Sequence, residues 1–170
     1  MKLIAFPLVG VAMLAVVVAF TAPAANQEGA PIFVTTIPPG YRDWRLISVA
    51  HEEGNLHSLG AILGNEVAIK AYREGKVPFL DGAIIAALHY RHMPSDENNK
   101  VFGQAQSFVP GTPTNIQFMV KDTKKYTATG GWGFAHFQDG KPADAAFMKP
   151  CFACHNQPEA RDLVFTRYAQ

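Results

Sequence analysis

Apolar and polar positions along most of this chain alternate with a period near two, and only short stretches keep a helical period. Residues 44–50, Trp-Arg-Leu-Ile-Ser-Val-Ala, and residues 56–63 have strand composition. The next segment, Asn65-Glu66-Val67-Ala68-Ile69-Lys70-Ala71-Tyr72-Arg73-Glu74-Gly75, reads as a helix of about two and a half turns. Asn65 caps it, Glu66 lies in its first turn, and Gly75 stops it. After a turn over residues 78–82, Ala83-Ile84-Ile85-Ala86-Ala87-Leu88-His89-Tyr90 is apolar enough for a largely buried strand. Residues 92–103 are polar and turn-like. Further strands are predicted over 104–109, 115–121 and 132–138, the last with Trp132, Phe134 and His136 on alternate positions. Asp122 is placed to cap a short helix through Tyr126, and an Ala-rich helix is predicted over 142–148. Together these elements give an α+β domain: an antiparallel sheet that dominates, with short helices on one face.

Residues 3–20 break the alternation, being almost wholly Leu, Ile, Val, Ala, Met and Phe behind Lys2. That is the shape of a secretory signal peptide, with Thr21, Ala22, Ala24 and Ala25 supplying the small residues of a cleavage site. An uncleaved anchor is the competing reading, since the run sits at the lower edge of the ~17–25 residues of a membrane-spanning helix. The A-x-A-like end favours cleavage. Residues 1–25 are therefore expected to direct export to the periplasm and residues 26–170 to form one domain, with a Pro- and Gly-rich N-terminal arm over 26–41. No later run is apolar for long enough to predict a second span.

Of the 170 residues 48% are apolar and 17% charged, a globular composition rather than a disordered one. The formal net charge is +1, and loss of Lys2 with the leader makes the mature protein neutral. A neutral protein has no field for a polyanion, so a nucleic-acid partner is not expected. Lys121, Lys124 and Lys125 form a small basic cluster that reads as a solvated face.

The sequence has only two cysteines, Cys151 and Cys154, and both lie in Cys151-Phe152-Ala153-Cys154-His155. In an exported protein the pattern C-x-x-C-H is the attachment signature of c-type haem. Two thiols three positions apart can form thioethers to the two vinyl groups of one porphyrin, while the adjacent imidazole reaches the iron. His155 is then the proximal ligand. A disulfide oxidoreductase would carry such a motif after a strand, at a helix start in a βαβ setting, and none precedes it here. A zinc site would need a second ligand pair, and no cysteine remains for one. One covalent haem uses both thiols, so stability must come from haem attachment and core packing. Five other imidazoles, His51, His57, His89, His92 and His136, are more readily surface or hydrogen-bonded residues than ligands, His136 lying nearest the motif in the pattern. Met93, Met119 and Met148 could supply a sixth ligand, though gap filling is their commoner use. Trp132, Phe134, Phe137, Phe118 and Phe108 suit either a haem pocket or an ordinary core.

With these residues in view, the protein resembles the cytochrome P-460 family, which includes the cytochromes c′-β. The resemblance runs through Tyr41-Arg42-Asp43-Trp44, the helix ending at Gly75, Asp81-Gly82, Val120-Lys121-Asp122-Thr123-Lys124-Lys125-Tyr126 and Gly131-Trp132-Gly133-Phe134. It continues through the C-x-x-C-H motif and Asp162-Leu163-Val164-Phe165-Thr166-Arg167. The resemblance implies a predominantly β homodimer carrying one haem with a proximal histidine and an open distal face. One branch of the family oxidises hydroxylamine, with a lysine cross-linked to the porphyrin and a distal carboxylate that takes protons. Another has an apolar distal pocket that includes phenylalanine and binds NO or CO. The cross-linking lysine aligns with Tyr72 or Arg73, leaving Lys70 as a cross-link candidate one turn away. The carboxylate position matches Gln117, and a distal arginine matches Leu59. Gln117, Phe118 and Leu59 are thus the candidate distal pocket, although Gln117 and Phe118 lie on opposite faces of one strand and only one can point at the iron. An amide cannot take a proton at neutral pH, so the resemblance implies an NO-binding cytochrome, with a periplasmic redox partner as a further expectation. The alternative is a hydroxylamine or NO oxidoreductase.

Overall fold

The computed structural model describes residues 33–157 and 161–169. The expected leader and most of the N-terminal arm lie outside the described residues. Six strands, β1 (Arg45–Glu52), β2 (Ser58–Gly64), β3 (Ile84–Pro94), β4 (Phe108–Lys121), β5 (Trp132–Gln138) and β6 (Lys141–Pro142), form one sheet in sequence order, every pair antiparallel. Helices α1 (Glu66–Glu74) and α2 (Asp96–Phe102) fall between strands, and α3 (Ala145–His155) follows the last of them. Among the described residues no helix is long and apolar enough to cross a membrane.

Period-two alternation gives the sheet two apolar faces. On one, Ile62, Ile85, Met119, Trp132 and Phe134 pack with Ala68 and Ile69 of α1 and Met148 of α3. On the other, Ala86, Leu88, Phe118, Ala135 and Phe137 are covered by Val34, Ile37, Tyr41 and Trp44 from the N-terminal segment. Helix α1 forms as its caps direct: the Asn65 side chain accepts from the Ala68 N–H at 3.0 Å, and Gly75 ends the helix in the left-handed conformation.

Four local expectations need correction. Residues 92–103 hold α2, capped by the Ser95 side chain and ended by Gly103, after β3 has run on to Pro94. The two strands expected over 104–109 and 115–121 are one strand, β4, which carries Pro110 and Pro113 through register shifts against β3. Asp122 caps a turn, accepting from the N–H groups of Lys124 and Lys125, and a single 3-10 turn follows at Thr127–Thr129. The Ala-rich helix starts later, with Asp144 as its N-cap, and runs through Pro150 to His155, so it contains the cysteine motif.

Gly131-Trp132-Gly133-Phe134 has a steric explanation. Gly131 sits at φ 84°, where a side chain would be strained, and a methyl group on Gly133 would overlap the ring of buried Tyr126. Gly133→Ala is expected to cost about 1–3 kcal/mol through overpacking, read as a lower urea midpoint at unchanged slope.

Candidate functional site

Helix α3 presents Cys151, Cys154 and His155 at positions i, i+3 and i+4, so all three side chains share one helix face. That face closes a cavity of about 1160 Å³ whose floor is the sheet and whose far wall is Val164, Phe165 and Thr166. Small-molecule sites run to ~300–1,000 Å³, so this cavity is large enough for a flat macrocycle. Both cysteines are free thiols, and burial pushes the Cys151 thiol above its ordinary pKa. The donor set fits haem c: two unpaired thiols at motif spacing and one oriented imidazole, all lining the same space.

The imidazole is oriented from behind. His155 Nδ1 lies 2.9 Å from the Leu163 carbonyl oxygen, which can only accept, so Nδ1 carries the proton and Nε2 keeps its lone pair for a metal. Burial lowers the His155 pKa, only partly opposed by this hydrogen bond, which favours the neutral, ligating form. Phe134 and Phe165 flank the ring at 5.1 and 5.0 Å between centroids.

The Leu163 carbonyl is itself held. Asp162 and Leu163 both have left-handed backbone, at φ 52° and 65°, and Lys121 anchors that turn. Lys121 is 3% exposed. Its Nζ donates to both Asp162 carboxylate oxygens at 2.8 Å and to the Gly130 carbonyl at 2.9 Å, and it lies 4.9 Å from the Trp132 ring centre. Asp162 also accepts from the Phe79 N–H at 2.8 Å. The reading of Lys121 as part of a solvated basic face is thus corrected, while Lys124 and Lys125 are exposed as expected. Nothing in local composition marks Lys121 as buried. Its place in a strand two residues from Met119, on the same face, was the available signal.

Register fixes the cavity floor. Ser48, Ile62, Ala87, Gln117 and His136 form one row across the strands, and Ala50, Gly60, His89 and Asn115 the next. Glu52, Ser58 and Arg91 follow at the rim. Gln117 lines the cavity and donates from Nε2 to Asn115 Oδ1 at 3.3 Å. Phe118 also borders the cavity, although its ring packs on Tyr41 and Phe137 on the far face, whereas Leu59 alternates away from Ser58 and Gly60 and is not part of the lining.

Lys70 is on the exposed side of α1 and does not line the cavity. Tyr72 of the same helix is half-buried, donates its hydroxyl to the Thr166 carbonyl at 3.3 Å, and has its pKa raised by burial. Of the five further histidines, His89 and His136 line the cavity. His51, His57 and His92 cluster with Phe108 beyond the rim, with ring centroids 4.1–4.9 Å from His92. Met119 lines the cavity, Met148 is buried on the inner side of α3 and Met93 is exposed. Trp132 and Phe137 are core, and Phe134 is both core and cavity wall. Sequence reasoning missed Glu52, Arg91 and His89 as lining residues, though alternation from Ala50 and Ala87 would have found all three.

The family described as Cytochrome P460 matches residues 38–166, a span that contains every element above. No curated protein matches this sequence significantly.

Proposed function

The protein belongs to the cytochrome P460 family, and from that premise we propose that it is a periplasmic mono-haem c-type cytochrome that binds NO or a similarly small ligand on an open iron face. The observation that carries this reading is the convergence of Cys151, Cys154 and an oriented His155 on one large cavity. Haem, when bound, supplies an iron centre able to take a diatomic ligand and to change oxidation state. Cys151 and Cys154 would hold it through thioethers, and the Leu163 carbonyl would keep His155 turned toward it. Opposite lies a floor that combines the small and apolar groups Ala50, Ile62 and Ala87 with Gln117 and His89, which leaves room for a small ligand. In this reading the protein exchanges electrons with a periplasmic partner. A homodimer would find apolar surface at Val101, Phe102 and Phe108, all exposed where β3, α2 and β4 meet.

One observation favours the enzymatic alternative, a hydroxylamine or NO oxidoreductase. Gln117 cannot accept a proton, but His89 and Glu52 share its cavity, so loss of a carboxylate at that position does not strip the site of bases. The exposed position of Lys70 speaks against the cross-linked form of that chemistry. Optical titration of the ferrous protein with NO tests the proposal. The expected result is an ordinary haem c spectrum that shifts at one NO per haem. A strongly red-shifted ferrous band, or no response to NO, would overturn it.

A further inference from the structure

We propose that His89 is the proton acceptor of the cavity, taking the proton from small weak acids of the H–X kind as the anion binds at the open iron face. This rests on the reading of the cavity as a haem site and adds a residue to it. Strand β3 is the third of six, so His89 stands on the floor rather than at its margin. Its neighbour across β2 is Gly60. A methyl group built there would lie 3.8 Å from His89 Nδ1, so the residue paired with His89 on that strand puts no side chain over the nitrogen, and Ile62 Cδ1 is the group of β2 that reaches this spot. Its neighbour across β4 is Asn115, which accepts from Gln117, so the two amides form a hydrogen-bonded edge beside the imidazole. His136 is the other imidazole of the floor, but its ring packs on Phe147 at 4.7 Å and also faces a surface pocket with Asp139 and Lys141.

Charge supports the assignment. Among the described residues, the titratable groups facing His89 are Glu52 from β1, Arg91 from its own strand, His136 from β5 and His155 with the two haem-binding thiols from α3. Strands β2 and β4 offer no titratable group there, only the polar Ser58, Thr114, Asn115 and Gln117. Burial lowers the His89 pKa and Glu52 only partly restores it, so the ring is neutral at pH 7 and has a lone pair to give. In the step itself the H–X bond breaks, its electron pair stays on X, and the proton moves to a His89 ring nitrogen. No electron is exchanged.

Hydrogen cyanide is the probe, because it must lose a proton to bind ferric haem, whereas NO binding to ferrous haem moves none. The cyanide association rate of the wild-type holoprotein is expected to be flat near neutral pH and to fall as pH drops through the lowered His89 pKa. His89→Gln keeps the size and polarity of the side chain without the base, and His89→Leu removes both. Each should slow cyanide by about 10²-fold or more at pH 7 and abolish its pH dependence, a far larger effect than on ferrous NO binding, which moves no proton. Wild-type cyanide rates in His89→Gln, with NO still bound, would overturn the role of His89 and leave the haem reading standing. An equal loss in His136→Gln alone would assign the proton to the wrong ring and likewise overturn it. Failure of the wild-type protein to bind either ligand would sink the underlying reading and the inference with it.

Discussion

Lys121→Ala is expected to destabilise the protein by about 3–5 kcal/mol, the penalty for removing one partner of a buried ion pair. The change strands the Asp162 carboxylate, which is 11% exposed and among the described residues would keep only the Phe79 N–H as a donor. It also removes the cation beside Trp132 and the donor to Gly130. Lys124→Ala, in the exposed turn that follows β4, should stay within about 0.5 kcal/mol. Urea unfolding of the two variants beside wild type makes the comparison. A loss below about 1 kcal/mol in Lys121→Ala would mean that packing alone holds the Asp162 turn. Because the Leu163 carbonyl follows that turn directly, the variant is also expected to broaden the haem spectrum as His155 loses its fixed orientation.

On the proposed reading, His155→Ala should abolish the native spectrum altogether while leaving the haem attached, since thioethers to Cys151 and Cys154 would not involve the imidazole. His136→Ala is the comparison, being an imidazole that packs against α3, and its spectrum should remain near wild type. Optical spectra of both variants, ferric and ferrous, decide between them. Conversion of a six-coordinate to a five-coordinate spectrum by His136→Ala would show that its ring, not a vacant face, lies opposite His155. Met119→Leu removes the one thioether among the described residues that line the cavity and should be equally silent.

Elements with an unambiguous period and clean caps could be read from sequence, as α1 shows with Asn65 and Gly75 and β5 with its alternating aromatics. Where two signals compete, the pattern misled. Pro110 and Pro113 fall in the gap between the two strands expected over 104–109 and 115–121, yet β4 absorbs them through register shifts against β3. Pro150 lies just beyond the helix expected over 142–148, yet α3 continues through it, giving up one backbone hydrogen bond. Ser95 and Gly103 bracket α2 in a segment so polar that its caps were its only mark. In the site, the cysteine motif was legible because its chemistry lies within five consecutive residues. The supports were not, since Lys121 and Asp162 meet only through the fold and the floor residues come from several strands. Alternation did separate Gln117 from Phe118, and the structure turns Gln117 to the cavity.

Whether the haem is covalently held by the α3 motif alone is decided by mass spectrometry of the exported, denatured protein. The expected result is a polypeptide heavier by one haem that survives acid and organic extraction, with the haem on the Cys151 to His155 peptide and none on the peptide containing Lys70. Haem lost to the organic phase, or found joined to Lys70 as well, would contradict it.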